Sequence, residues 1–208
     1  MNTLPRFLRQ AWTALRFLLL ATVVLGLLYP LAIFGIGQAV VPFQANGSII
    51  KDSAGKPAAS ALIAQVSADN SGTQSPLWFH ARPSAAKWDP GASTASNLGP
   101  NDPKLLDAVK AARAAIAAAE GVKESDVPAD AVTASGSGLD PEISPAYARL
   151  QVPRVAKAHG LSPATVQAMV DRRTVTGLEA FLGQPSVNVT ELNLDVAAAA
   201  PGSAAPAK

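Results

Sequence analysis

FLLLATVVLGLLYPLAIFGIGQAVVPF, from Phe17 to Phe43, runs 27 residues without a charged side chain. A helix rises 1.5 Å per residue, so about 20 residues cross the ~30 Å apolar core of a bilayer. This run therefore spans with a turn or two to spare. A cleaved signal has an apolar stretch of only about 7–15 residues, ending at a small-x-small site. Here the nearest such triplet, Gly37-Gln38-Ala39, lacks the Ala-x-Ala form. A retained anchor is expected.

Charge on either side of the span sets the expected orientation. Arg6, Arg9 and Arg16 precede it with no acid among residues 1–50, whereas beyond it stand Lys51 and Lys56, partly offset by Asp52. The positive-inside rule puts the N-terminus in the cytoplasm and the rest of the chain outside. The whole chain carries 17 basic and 15 acidic residues, so the excess of +2 belongs to the N-terminal arm. Beyond residue 50 the chain is nearly neutral and has no basic stripe, which argues against nucleic-acid binding. Cysteine is absent, which excludes disulfides, thiolate nucleophiles and Cys-ligated metal. With His80 and His159 the only imidazoles, no spacing suggests a metal site.

Within the span, Tyr29-Pro30 removes one helical hydrogen bond and presses the ring on the Gly26 carbonyl, so a kink near Gly26 is expected. Thr22 with Gly26, and Gly35 with Ala39, sit at small-xxx-small spacing that admits a neighbouring helix.

Beyond the anchor, Ser48–Lys51 reads as a short strand and Ala61–Val66 as a second apolar segment between turns. Residues 67–103 carry repeated Pro and Gly and read as a long irregular loop. Three helices open on a polar residue followed by Pro: Asp102-Pro103 up to Gly121, Ser144-Pro145 up to Gly160 with Pro153 breaking or bending it, and Ser162-Pro163 up to Gly177. Strict alternation from Val187 to Val196 reads as a strand. The expected fold is thus a single N-terminal transmembrane helix plus a small α/β or α+β soluble domain. Its expected divisions are a cytoplasmic basic arm over 1–16, the transmembrane helix over 17–41, an extracytoplasmic domain over 44–196 and a disordered tail over 197–208.

Two polar stretches are candidates for contact with a partner or ligand. Ser135-Gly136-Ser137-Gly138, with Leu139 and Asp140 after it, lacks the Gly-Lys-Ser/Thr of a P-loop and the hydrolase nucleophile elbow. It reads either as a turn or as a set of N–H groups offered to an anion or partner. Trp78-Phe79-His80-Ala81-Arg82-Pro83-Ser84 reads either as a docking surface, with His80 and Arg82 exposed to a partner, or as a loop pinned by its own aromatics. No catalytic residues are identified.

Taken in order, the kinked span with Tyr29-Pro30, Gly47-Ser48-Ile49-Ile50, residues 78–85, Ser96-Asn97-Leu98-Gly99-Pro100, residues 130–141 and residues 183–189 resemble the C-subunit family of the Kdp potassium-transporting ATPases. The sequence departs from the family pattern at Ala81, where Gly is usual, at Glu142, where His is usual, and at Ser186, where Arg is common. The resemblance implies a non-catalytic, single-pass subunit of the cell inner membrane. Its partners would be the lipid bilayer, an A subunit that translocates K⁺ and a B subunit that hydrolyses ATP. It also implies a catalytic-chaperone role that raises the ATP affinity of the B subunit, and with it a possible ATP contact. ATP is cytoplasmic, whereas the charge asymmetry puts the domain outside. Either the effect crosses the membrane as a coupling between sites, or the domain caps the external K⁺ entrance. The alternatives are a free-standing membrane-anchored envelope binding protein and an anchored hydrolase using Ser137 with His80 or His159.

Overall fold

The structure, a computed structural model, describes residues 5–200 except 53, 70, 178, 179 and 182. The chain divides into two compact units between Ser48 and Ile49.

The first unit is the helix α1 (Arg6–Val40), none of whose residues is buried within the protein. Val24–Leu28 forms a π-helical turn, placed just before Pro30. Widening the ring there accommodates a proline that has no N–H and whose ring collides with the carbonyl four residues earlier. The expected disturbance at Gly26 thus takes the form of a π-turn. Thr13 and Thr22 donate their hydroxyls to the Arg9 and Leu18 carbonyls, at 3.0 and 2.8 Å, so neither hydroxyl is left bare. After α1, a single turn α2 (Pro42–Ala45) is tied back by Asn46, whose amide pairs with that of Gln38.

The second unit opens with β1 (Ile49–Lys51) paired antiparallel to β2 (Pro57–Ser60), with a bulge between Ile50 and Lys51. The partner strand lies before the apolar segment 61–66, which is irregular and buries Ala64 and Val66 instead of pairing. The next loop contributes Trp78, Phe79, Ala81 and Trp88 to the core.

Helix α3 (Pro103–Glu120) starts on Asp102, whose side chain accepts from Lys104 N, and stops at Gly121 in the left-handed region. A short α4 (Ala129–Val132) precedes β3 (Glu142–Ile143). Helix α5 (Pro145–His159) is capped by Ser144 and runs unbroken past Pro153 to Gly160, so of the two expected outcomes, a break or a bend, the break does not occur. Pro153 and Arg149, the residue whose carbonyl its missing N–H would have bonded, are both on the solvent face. Helix α6 (Pro163–Arg173), capped by Ser162, ends short of Gly177 because Thr174 pairs with Val187 and turns its hydroxyl to the Val170 carbonyl.

The alternating stretch 187–196 departs most from expectation. Only β4 (Val187–Asn188) is strand, paired with β3, and Val189–Ala199 is the helix α7. Val189, Leu192, Asn193 and Val196 form its buried face, at the separations of three and four of a helical stripe, whereas a period of two puts Val189 on the opposite face from Leu192 and Val196. Glu191 and Asp195, one turn apart, both bind Arg173 of α6 at 2.7–2.8 Å. Helix α7 also continues to Ala199, into the stretch expected to be a tail; residues 201–208 lie outside those described. With short antiparallel pairs and separate helices, the domain is α+β.

Candidate functional site

The segment Trp78–Ser84 is held by side-chain amides acting as substitutes for a neighbouring strand. Asn193 accepts from Phe79 N at 2.9 Å and donates to Phe79 O at 3.0 Å. Gln151 does the same for His80, at 2.6 and 3.3 Å, and Gln74 for Ala81, at 2.8 and 3.1 Å. Three consecutive peptide groups, one buried and two part-buried, are thereby satisfied by side chains in place of a strand. Ala81 is not among the residues with positive φ. Trp78 and Phe79 are buried, so this segment is pinned into the core.

Arg154 of α5 organises the polar groups beneath it. It donates to Gln151 Oε1 at 2.8 Å, to the Pro76 and Trp78 carbonyls, and to Glu120 Oε1 at 2.8 Å. His80 Nε2 lies 3.0 Å from the Ser75 carbonyl, which can only accept, so this nitrogen carries the hydrogen. Burial first, then the Arg154 charge, pulls the His80 imidazole down to about 4. His80 is neutral at physiological pH.

Arg82, two residues on, joins the second polar stretch. Its guanidinium binds Asp140 at 2.7 Å and the Thr133 and Ala134 carbonyls. Ser84 donates to the Gly138 carbonyl at 2.6 Å, and Ser135 N to the Pro83 carbonyl at 2.9 Å. The loop 135–140 then closes on itself. Ser135 Oγ accepts from the N–H groups of Gly138 and Asp140, and Ser137 Oγ from that of Leu139. Gly138 has φ +72°, and a Cβ there would stand 2.7 Å from both the Ala86 Cβ and the Thr94 carbonyl. Ser135 and Gly138 are buried, while Gly136 and Ser137 form an exposed tip.

Arg82, Ser135, Ser137, Gly138 and Asp140 are thus brought together, whereas His80 belongs to the Arg154 network. Neither imidazole hydrogen-bonds Ser137 among the described residues: His159 Nε2 faces the Leu77 carbonyl at 2.9 Å. Of the loop's N–H groups, those of Gly138, Leu139 and Asp140 are taken up by its own serine hydroxyls and that of Ser135 by the Pro83 carbonyl, and Arg82 is committed to Asp140 and two carbonyls. The adjoining cleft of about 220 Å³ is lined by Asp130, Asp140 and Glu142. Burial, the largest influence, pushes the Glu142 carboxyl above its usual range, and the charges of Asp140 and Glu191 add to this. No group of three or more metal-ligating side chains occurs among the described residues.

An exposed apolar helix and a small α+β domain, with its polar side chains turned to holding its own loops, define a membrane-anchored protein with one span. A family model described as "KdpC: K+-transporting ATPase, c chain" matches residues 11–198. The chain is 52% identical over 200 residues to a potassium-transporting ATPase KdpC subunit of Kineococcus radiotolerans, covering 95% of this chain and 98% of that one. It is 51% identical over 177 residues to the KdpC subunit of Caulobacter vibrioides, covering 84% and 85% of the two chains. The KdpC subunit of Streptomyces avermitilis is 44% identical over 214 residues, covering 93% and 95%. This chain belongs to the KdpC family.

Proposed function

We propose that this chain is a non-catalytic subunit of an ATP-driven potassium transport complex, supporting its assembly and the coupling of ATP hydrolysis to K⁺ import. Potassium passes through the A subunit and ATP is hydrolysed by the B subunit. Helix α1 crosses the cell inner membrane with its N-terminus in the cytoplasm. Its notch at Gly26 and the π-turn before Tyr29 and Pro30 give a partner helix a close approach. The domain stands outside, over the external K⁺ entrance, and the exposed tip Gly136–Ser137 faces a partner. Any effect on the ATP affinity of the B subunit is then a coupling carried across the membrane.

The polarity of α1 carries this reading: Arg6, Arg9 and Arg16 stand at one end and the next charge is Lys51. Single cysteines at the exposed positions Ala92 and Ser125 test it, because the chain has none of its own. In cells making the whole complex, a membrane-impermeant maleimide is expected to label both before lysis. Labelling only after lysis would refute the external placement.

A further inference from the structure

Arg6, Arg9 and Arg16 stand in the first turns of α1. With no acid before Asp52, none of the three forms an ion pair among the described residues. They are not spread around the helix. At about 100° per residue, Arg6, Arg9, Thr13 and Arg16 fall within about 80° of one another, whereas Phe7, Leu8, Ala11 and Leu15 fall on the opposite side. Helix α1 has 35 residues, about 52 Å of length, against a bilayer core of ~30 Å. The turns carrying the arginines precede the uncharged run that begins at Phe17, which sets them at the level of the headgroups. Trp12 suits the same level, and the Arg16 guanidinium carbon stands 5.0 Å from its ring centroid.

Along the basic face a shallow groove is lined in order by Arg6, Arg9, Gln10, Thr13, Ala14 and Phe17. The Thr13 hydroxyl is committed to the Arg9 carbonyl, so the free polar side chains of the groove, Arg6, Arg9 and Gln10, all lie at one end. Over about 17 Å the lining changes from guanidinium and amide donors to a methyl group and an aromatic ring, in the direction of the apolar run. Two unpaired guanidinium groups call for an anion, and their planar fork of donors suits phosphate oxygens. The apolar continuation calls for hydrocarbon attached to that anion. A free phosphate has none, and an acidic protein segment would bring carboxylates without a chain descending beside Phe17.

We propose that this face of α1 binds an anionic phospholipid of the leaflet at its N-terminal end. The phosphate sits against Arg6, Arg9 and the Gln10 amide, and an acyl chain runs past Ala14 and Phe17. Arg16, held on Trp12, flanks the site and adds to the attraction. The inference needs α1 to span a bilayer and is independent of which partner subunits the chain joins.

The test uses the assembled complex in nanodiscs made of equal amounts of phosphatidylglycerol and phosphatidylcholine. Benzoylphenylalanine in place of Ala14 is photo-crosslinked, and the mass of the adduct on this chain identifies the lipid. Phosphatidylglycerol adducts are expected to exceed phosphatidylcholine adducts by about fivefold or more, the ratio that one surface arginine's attraction supplies. The same probe in place of Leu15, on the opposite face, is expected to show no such excess. Arg9→Ala combined with Ala11→Arg moves one charge to that opposite face at constant net charge, and is expected to abolish the excess at position 14. Equal yields of the two lipids at position 14, an equal excess at Leu15, or an excess that survives moving the charge would each overturn the proposal. So would crosslinking from position 14 to protein with no lipid adduct. Unselective lipid adducts would still leave α1 within the bilayer, whereas release of the parent chain from membranes by an alkaline carbonate wash would overturn the span itself.

Discussion

Arg82 donates to the Asp140 carboxylate at 2.7 Å across 58 residues of sequence, and the same guanidinium holds the Thr133 and Ala134 carbonyls. The two side chains are 24% and 29% exposed, so water screens the pair only in part. Removing the arginine leaves a carboxylate and two carbonyls short of donors. Arg82→Ala is therefore expected to lose roughly 2–3 kcal/mol of stability. Asp140→Asn keeps an oxygen for the Glu142 N–H, which Asp140 Oδ1 accepts at 2.9 Å, and is expected to lose about 1 kcal/mol. Urea unfolding of the full chain in detergent, followed by tryptophan fluorescence, measures both. A larger loss from Asp140→Asn than from Arg82→Ala would contradict the network described.

Two glycines of the same loop are expected to answer differently to alanine. At Gly138 the backbone is left-handed and the new Cβ meets Ala86 and Thr94 at 2.7 Å, with backbone on one side that cannot swing away. Gly138→Ala is expected to cost about 3 kcal/mol or more. At Gly136 nothing lies within 4 Å of the added atom, and Gly136→Ala is expected to stay within about 0.5 kcal/mol of the parent. The same unfolding measurement separates them. Equal losses would mean that the loop is not packed against Ala86.

Three helices were legible because their starts are local: a polar side chain caps the first turn and proline fixes the next backbone angle. The apolar span was legible for the same reason, since nothing outside it decides its solvent. Helix α7 was not. Val187 and Val189, then Leu192, Leu194 and Val196, each alternate locally and mask the helical face that Val189, Leu192 and Val196 share, and the reason Glu191 and Asp195 sit one turn apart is Arg173 on another helix. The amides that hold Trp78–Ser84 were hidden more deeply. Gln151 and Asn193 lie 71 and 114 residues from the peptides they satisfy. A polar residue on an apolar helix face, such as Gln151 one turn after Tyr147, was the available hint. Serine and glycine announced a tight loop at 135–138, but only the fold shows that the N–H groups of Gly138, Leu139 and Asp140 turn to its own hydroxyls.

His80 makes the domain sensitive to acid. In the folded chain its imidazole is held at about 4, by burial and then by Arg154, whereas in the unfolded chain it titrates near its ordinary value of about 6.5. Between these values the unfolded chain binds a proton that the folded chain refuses. Stability contributed by neutral His80 is therefore fully present above about pH 6.5 and is lost as pH falls towards 4, by roughly 3 kcal/mol in all. His80→Gln keeps an amide donor for the Ser75 carbonyl and removes the titration. Its unfolding midpoint in urea is expected to vary less than the parent's between pH 7 and 5. Parallel profiles for the two proteins would count against a buried neutral imidazole.

Asn193 offers the converse pH dependence. It is fully buried and meets the Phe79 N–H with its oxygen and the Phe79 carbonyl with its NH₂. Asn193→Leu removes both partners at similar volume and is expected to cost about 2–4 kcal/mol at any pH, since two peptide groups are left bare. Asn193→Asp keeps the acceptor but sets a carboxylate oxygen against a carbonyl. Near neutral pH it is expected to cost about 3–5 kcal/mol. Burial raises the pKa of the introduced carboxyl above its unfolded value, so acid favours the folded state. The protonated acid carries an O–H that can donate to the Phe79 carbonyl as the amide did. Relative to the parent, the Asp variant is therefore expected to regain stability as pH falls from 7 to 5, while the Leu variant gains nothing. If both variants track each other across that range, the amide is not clamping Phe79 and the account of how Trp78–Ser84 is held in the core fails with it.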